Sequence, residues 1–515
     1  MAENEKLEGV QMEDLEALAN EFTLDDLAEF DNELEFDVTD LESIKPVYTT
    51  KEKLKLILMN NKVFSIIKWC FAGLGLIGLI LYILALISPN ISEALSSTVS
   101  AGVRAAITTV TNILPFSFME ILAVIVLAGI LGYAGFLVYK TIKEKEGIKI
   151  AGIWVQFGYV LLAVFGFGFL LYSLCFGVTT NRPMLYSTGL RDQYAPLHTY
   201  EETVDSAMIY FVDRVNNVAV DGIDPSDPSQ TLYYTADGNS RYTDAGSSVK
   251  AISEAVNACF DVAAQDYPFL KGSKVTAKKL LVPSMYTAMG VGSIYSPVTS
   301  EVLINTDYPE MIVPMQVAKA IAKQRGITND ADASFAAFLV LTQYADVLSA
   351  NGVTDSQGNP FNANFLKYSA YMDAYMEVGN VVYLLGADMH LYCSSPLKET
   401  AKKDMVAYVT DLDALYGNIS NLSFQAAGDR TSTDDYRVLA KLLYADYHQK
   451  LENGALVLQY VDENTGVVPL NNNFLYARYL VNYYSVSSQN GWLDDVQAAY
   501  DERNPEVPDN SVAAE

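Results

Sequence analysis

The sequence predicts an α-helical membrane anchor of three transmembrane helices, followed by an α+β, mostly helical domain with a small sheet. Half of the 515 residues are hydrophobic, a fraction that suggests some surface faces lipid. Three apolar stretches are long enough to cross a bilayer, namely Ile66–Ile87, Phe118–Tyr139 and Gly152–Gly177. After them, apolar residues recur mainly at three- and four-residue spacing, which favours helices.

The flanking charges predict how the anchor is oriented. Lys68 and Glu120 are the only charges within the three stretches, and both lie near an end. The first loop holds only one basic residue, Arg104. Lysines cluster instead around the start of the first stretch and in the second loop, namely Lys51, Lys53, Lys55, Lys62, Lys68, Lys140, Lys143, Lys145 and Lys149. The positive-inside rule then predicts a multi-pass protein of the cell membrane, in contact with the lipid bilayer, with a cytoplasmic N-terminus and an extracytoplasmic C-terminal domain.

Charge and composition divide the chain into four predicted parts. Residues 1–50 form an acidic cytoplasmic tail, largely disordered, with 16 acidic and 2 basic side chains. Residues 51–177 are the transmembrane region, 178–500 the extracytoplasmic domain and 501–515 an acidic disordered end. The net charge of -28 argues against nucleic acid as a partner.

One segment of the tail could bind a cytoplasmic protein. Glu21–Phe30 reads as a short amphipathic helix, with Thr23 as an N-cap and acidic residues in its first turn. It is either a docking motif that folds on a cytoplasmic protein or part of a solvated tail with no specific partner.

Periodicity predicts the elements of the C-terminal domain. The predicted helices are Tyr200–Val218, Ser247–Asp266, Pro314–Arg325, Asp330–Ala350, Phe365–Leu384, Leu397–Leu415 and Thr433–Leu451. The predicted strands are Ile294–Asn305, Leu280–Pro283 and Leu232–Thr235. Cys259 and Cys393 could pair, but two cysteines do not make a disulfide framework, and we expect free thiols.

The helix that begins at Pro314 has the frame of a zinc-peptidase helix. In an H-E-x-x-H motif, two histidines one turn apart bind zinc and the glutamate acts as general base. The corresponding positions here are Lys319, Ala320 and Lys323.

Five segments carry a wider resemblance, in the order in which a family has them. They are Leu114-Pro-Phe-Ser117, Gly292–Glu301, Pro314–Gly326, Asp330-Ala-Asp-Ala-Ser-Phe335 and Tyr368-Ser-Ala-Tyr371. The chain resembles, over roughly residues 60–380, an uncharacterised bacterial family of multi-pass membrane proteins with an extracytoplasmic zincin-like domain, marked by H-E-x-x-H and E-D-E-A-N-F. This member has a degenerate motif.

The resemblance implies a site whose chemistry has been lost. Lys319 and Lys323 stand for the two histidine ligands, Ala320 for the catalytic glutamate and Asp332 for the third, acidic ligand. Deprotonating one lysine at pH 7 costs roughly 4 to 5 kcal/mol, so we expect no metal, no cofactor and no catalytic residue. Lys319 or Lys323 could instead pair with Asp332 or Asp330 and brace two helices, or both lysines could form a solvated stripe.

The predicted function is that of a membrane-anchored pseudopeptidase, an extracytoplasmic binding or regulatory module in the bacterial cell envelope. A cleft around Glu301, Lys319, Lys323 and Asp332 would receive a peptide or cell-wall ligand, with Ile294–Asn305 as an edge strand for β-addition. The alternatives are an active membrane zinc metallopeptidase with non-standard ligands and a structural envelope protein.

Overall fold

A computed structural model describes residue 49 and the ranges 62–144, 147–182, 201–219, 248–288, 291–308, 310–355, 358, 360–385, 387–398, 400–402, 404–405 and 475–488. The predictions for Glu21–Phe30, Leu232–Thr235, Thr433–Leu451 and residues 501–515 lie outside these ranges. Residues 66–140 and 157–515 form one compact unit, and the packing described below lies within it. The second unit comprises Met1–Ser65 and Thr141–Gln156.

The first five helices contain the candidate membrane anchor. They are α1 Lys62–Ile87, α2 Pro89–Leu95, α3 Ala101–Thr111, α4 Phe118–Lys143 and α5 Gly147–Cys175, with a π-helical turn Ser96–Ser100 before α3. Among the residues that the structure describes, three stretches are long and apolar enough to cross a membrane, namely Lys68–Ile87, Phe118–Lys143 and Gly147–Thr179. The three predicted spans are therefore confirmed as apolar helices of membrane-spanning length.

Glycines bring the first and third of these helices into close contact. A Cβ on Gly75 of α1 would lie 2.6 Å from the Gly166 Cα of α5. A Cβ on Gly78 would lie 2.8 Å from the Leu170 Cα. Small residues allow two backbones to approach in this way, which is how helices in a membrane commonly associate.

The helices of the C-terminal domain largely match their predicted positions. They are α6 Glu201–Val218, α7 Val249–Asp266, α8 Pro283–Ala288, α9 Val313–Gln324, α10 Asp330–Gln343, α11 Val347–Ala350, α12 Ala363–Leu385, α13 Ala387–Ser394 and α14 Leu475–Ser488. The prediction of one helix over Asp330–Ala350 was wrong, because the chain leaves the helix after Gln343. Of the prediction Leu397–Leu415, only residues up to 405 are described.

The sheet has three short strands in the order β1-β3-β2. β1 Lys278–Lys279 runs parallel to β3 Val302–Ile304, and β2 Ser293–Tyr295 runs antiparallel to it. The single strand expected over Ile294–Asn305 was wrong, because the chain turns back between Tyr295 and Val302, with Ser300 at φ 51°. Consequently β3 is the central strand, and β1 and β2 are the two edges. The strand expected over Leu280–Pro283 was displaced, since Pro283 begins α8.

The core lies between the helices, and sequence-local features set the ends of its key elements. α6 packs along α12, while α9 contacts α10, α12, β2 and β3. The core side chains include Phe211, Phe260, Phe335, Phe338 and Tyr479, which are all fully buried. Pro314 lies in the first turn of α9, and Gly326 follows its end at φ +100°, a conformation that favours glycine.

The segment between α1 and α4 is hydrogen-bonded to the C-terminal domain. The Thr108 hydroxyl donates to the Ser300 Oγ at 2.9 Å. The Asn112 amide donates to the Lys274 carbonyl at 3.1 Å and accepts from the Thr276 N–H at 3.0 Å. These bonds fix α3 against the edge of the domain that carries β1.

Candidate functional site

Lys319 and Lys323 lie one turn apart on α9 but have different surroundings. Lys319 is buried, at 6% exposure, although an ammonium group is rarely buried without ionic partners. The side chain of Lys323 is 17% exposed and forms an ion pair with Asp330, the first residue of α10. Ala320, between them in the motif, is buried and offers no ionisable group.

The ion pair confirms one form of the predicted brace. Lys323 near the end of α9 and Asp330 at the start of α10 join the two helices across the turn at Gly326. Asp332 also has partners outside this pair: its N–H donates to the Asn329 Oδ1 at 3.1 Å, and its Oδ1 accepts from the Tyr479 hydroxyl at 2.8 Å. The brace at Lys323 uses Asp330, and Asp332 contacts helix α14.

Two carboxyl groups lie close together on α12, and one of them, that of Glu377, lies near Lys319. Asp373 and Glu377 are one turn apart, Asp373 is buried and Glu377 is partly buried. Burial raises the pKa of Glu377 to about 8, the nearby Asp373 raises it too, and Lys319 acts in the opposite direction. A carboxyl group with this pKa is mostly protonated at neutral pH, so it can donate a hydrogen bond as well as accept one.

Two tyrosines of α14 complete what we term the charged cluster, consisting of Lys319, Asp332, Asp373, Glu377, Tyr476 and Tyr479. The Tyr476 hydroxyl donates to the Asp373 Oδ2 at 2.8 Å, as that of Tyr479 does to Asp332. The two tyrosines are three residues apart and share a helix face. Burial, followed by Asp373 and Glu377, raises the pKa of Tyr476, which keeps its hydroxyl protonated.

Sequence reasoning missed four of these six residues. Asp373 and Glu377 left a signal, because they are the two acidic residues of a mostly apolar helical segment and lie four residues apart. Tyr476 and Tyr479 left none, since tyrosines are numerous in this chain and α14 was not predicted.

Glu301, a predicted member of the cleft, has its partners elsewhere. Its Oε1 accepts from the Phe118 N–H at 3.0 Å and from the Lys278 Nζ at 2.6 Å. Its Oε2 accepts from the Met119 N–H at 2.8 Å. Both oxygens are thus bonded to the first turn of α4 and to β1, so the carboxylate caps the second candidate span rather than joining the charged cluster.

The three residues that follow Lys323 connect the end of α9 to its neighbours. The Gln324 amide donates to the Thr108 hydroxyl at 3.1 Å and to the Ser273 hydroxyl at 2.8 Å. The buried Arg325 guanidinium donates to the Asp261 carboxylate at 2.9 Å and to the Leu270 carbonyl at 3.0 Å. Gln324, Arg325 and Gly326 therefore connect α9 to α3, to α7 and to the turn before α10.

The lysines do not fit a zinc site. Among the residues that the structure describes, no group of three or more histidine, cysteine, aspartate or glutamate side chains could hold a metal ion. The described histidine, His390, packs edge-on against Tyr383, and burial lowers its pKa. Cys259 and Cys393 are buried free thiols. The arrangement can hold protons and hydrogen bonds, and it has no preassembled ligand set for a divalent cation.

Comparison with known families finds a similarity over this region. Residues 95–350 match the family described as "Protein of unknown function (DUF3810)". The matched range contains Glu301, the two lysines, Ala320 and Asp332, and it ends before Asp373, Glu377 and the tyrosines of α14. Neither the curated proteins nor the solved structures gave a match.

Proposed function

We propose that this chain is a membrane-anchored pseudopeptidase, a binding or regulatory module on the extracytoplasmic side of the bacterial cell envelope that neither binds zinc nor hydrolyses peptides. The observation that carries the proposal is the position of the two lysines. One ammonium group is bound to Asp330 and the other faces Glu377, at the two places where the resemblance puts histidine ligands.

Charge balance supports a non-catalytic role. Zinc with one carboxylate sums to a charge of +1, and two ammonium groups with one carboxylate give the same sum. The ion pair of Lys323 with Asp330 joins α9 to α10, as a shared metal would. Ala320 offers no general base, a loss worth on the order of 100-fold or more in rate.

The ligand we propose is an extracytoplasmic peptide or cell-wall fragment. The strands β1 and β2 are the two edges of the sheet, and β2 is the edge strand that overlaps the predicted strand Ile294–Asn305 and could add an extended peptide. The strand has three residues, with Ser293 and Tyr295 buried and Ile294 partly exposed. Such a short edge supports a short contact, and side-chain recognition would have to supply most of the affinity.

Metal analysis and turnover test this function directly. The full chain, purified in detergent from zinc-supplemented cells, should contain far less than one zinc per chain. It should also leave a peptide library uncut, with or without a chelator. Stoichiometric zinc together with chelator-sensitive hydrolysis would establish the metallopeptidase instead.

A reversion experiment tests the ancestry of the site. The variant Lys319→His, Ala320→Glu, Lys323→His, Asp332→Glu restores the ligands that the resemblance implies. It should bind one zinc tightly, whereas the single variant Lys319→His, which supplies one imidazole, should not. If the folded quadruple variant binds zinc no better than the single variant, α9 and α10 do not have zincin-like geometry.

A further inference from the structure

Three large apolar side chains are exposed between β1 and the end of α8. Leu281, Val282 and Met285 are 50%, 51% and 48% exposed, although the apolar residues of the domain are otherwise mostly buried. In the described part of the chain after residue 180, the other exposed large apolar residues lie on α13: Met389, Leu391 and Tyr392. Several exposed apolar side chains within five consecutive residues indicate an interaction surface.

The loop is fixed to the first turn of the second candidate span. The Leu281 N–H donates to the Glu120 Oε2 at 2.8 Å, and the Val282 N–H donates to the Glu120 Oε1 at 3.3 Å. On the other side, Met119 packs against a small apolar cluster of Leu280, Tyr286 and Leu303. The exposed side chains are thus held beside the start of α4 by the hydrogen bonds to Glu120 and by the packing of Met119.

The start of α4 is the point at which the chain passes from the polar domain to an apolar candidate span. The candidate span begins at Phe118, two residues before Glu120. Just before it, Ile113 and Phe116 are also exposed, at 79% and 38%. Ile113 follows Asn112, which is hydrogen-bonded to the domain. Two chain segments therefore present apolar side chains at the depth where α4 would enter the bilayer.

We propose that Leu281, Val282 and Met285 insert into the interfacial layer of the lipid bilayer beside α4. The domain would then rest on the membrane through this loop as well as through its covalent anchor. A lipid surface is favoured over a second copy of the chain because the apolar loop continues the apolar surface of a span that itself faces lipid. Glu120, with both oxygens bound to backbone amides of the loop, fixes its depth.

Depth-dependent fluorescence quenching tests the insertion in the full chain. In a Cys70→Ser background, a fluorophore is attached to Leu281→Cys, Val282→Cys or Met285→Cys, with Lys250→Cys as the control. The Lys250 side chain is 73% exposed on α7. The three remaining cysteines, Cys175, Cys259 and Cys393, should not react because they are buried, and burial raises the pKa of the Cys259 and Cys393 thiols to about 12.

The labelled chains are reconstituted into vesicles of phosphatidylethanolamine and phosphatidylglycerol. Nitroxide-bearing lipids should quench the three loop labels several-fold more than the label at position 250, and aqueous iodide should show the reverse order. Loop labels quenched like the control by both reagents would overturn the proposal. The proposal would also be overturned if both quenchers failed to reach the loop labels and fluorescence energy transfer occurred between labelled copies. A second chain would then cover the loop.

Crosslinking from the lipid answers the same question without any substitution. Vesicles containing a lipid with a diazirine group near its headgroup are irradiated with the unmodified protein, and the adducts are mapped by peptide mass spectrometry. Adducts within residues 281–285 support insertion. Adducts in α4 without any in the loop would show that the loop stays in water.

Discussion

Glu301 and Lys278 form a buried ion pair, with the Nζ of the lysine 2.6 Å from the Oε1 of the glutamate. The two side chains are 1% and 3% exposed. The same carboxylate accepts the first two amide hydrogens of α4, and the same ammonium group donates to the Thr111 carbonyl at 2.7 Å. One pair of residues, Lys278 in β1 and Glu301 directly before β3, thus holds both ends of the connection between α3 and α4.

Replacing Glu301 should destabilise the protein strongly. Glu301→Ala leaves the Lys278 ammonium buried without a counter-ion and the first turn of α4 without its cap. We expect a loss of about 3–5 kcal/mol in the free energy of unfolding, because an uncompensated buried charge costs that much. Denaturant titration of the purified chain in detergent measures it.

A double variant and an exposed pair provide the controls for this experiment. Glu301→Ala combined with Lys278→Met should be less destabilised than the sum of the single variants, since no buried charge remains unpaired. Lys250→Ala and Glu254→Ala, which break an exposed pair at 3.9 Å, should each stay within about 0.5 kcal/mol of the parent. Equal losses for the buried and exposed pairs would contradict the ion pair described for Glu301.

The two lysines of α9 should differ in their contribution to stability. Lys323→Met removes a partly exposed pair and should change the free energy of unfolding by no more than about 1 kcal/mol. Lys319→Met removes a buried charge from within the charged cluster and should cost more, up to about 3 kcal/mol. Methionine keeps the length and apolar stem in both variants, so each acts as the control of the other. A larger loss of unfolding free energy for Lys323→Met than for Lys319→Met would contradict the surroundings described for the two lysines.

The local features of this chain were predictable, and those that depend on long-range packing were not. The spans and helices such as Val249–Asp266 follow from apolar periodicity within one segment. The residues Ile294–Asn305 are β-branched enough to suggest one strand, but the turn at Ser300 is stabilised by Thr108, nearly two hundred positions earlier. A window along the sequence cannot detect such a partner.

The same limit applies to the candidate site. Lys319, Lys323 and Asp332 were found because a motif fixes their spacing. Asp373 and Tyr476 meet at 2.8 Å only because α12 packs against α14, and about a hundred residues separate them in the sequence. Glu301 was placed in the cleft by its position in a motif, whereas its bonds to α4 require knowing where the span begins.

Glu377 should make the stability of the domain fall as the pH rises. Its pKa is raised from 4.5 to about 8 in the folded chain, so between these values the folded state binds a proton that the unfolded state has lost. Stability contributed by this group is therefore complete below about pH 4.5 and is lost as the pH rises through about 8. Glu377→Gln should flatten the dependence, with its largest gain over the parent at high pH.

Thermal unfolding from about pH 5 to about pH 9 tests this sign. Glu254→Gln, on an exposed side chain, should leave the pH dependence of the parent unchanged. A residual slope is expected in the Glu377→Gln variant, because burial also raises the pKa of Asp404, to about 7. Parallel curves for Glu377→Gln and the parent would show that Glu377 titrates alike in the folded and unfolded chains.

Gly75 should be far less tolerant of a side chain than Gly73, although both lie in the same membrane helix. A Cβ at Gly75 would meet the backbone of Gly166, whereas nothing lies within 4 Å of a Cβ at Gly73. Gly75→Val should force α1 and α5 apart and cost at least about 1–3 kcal/mol, the usual penalty of overpacking. Gly73→Val introduces the same β-branched residue two positions away and should be nearly neutral. Thermal unfolding midpoints in detergent compare the two, and equal midpoints would mean that α1 and α5 do not touch at Gly75.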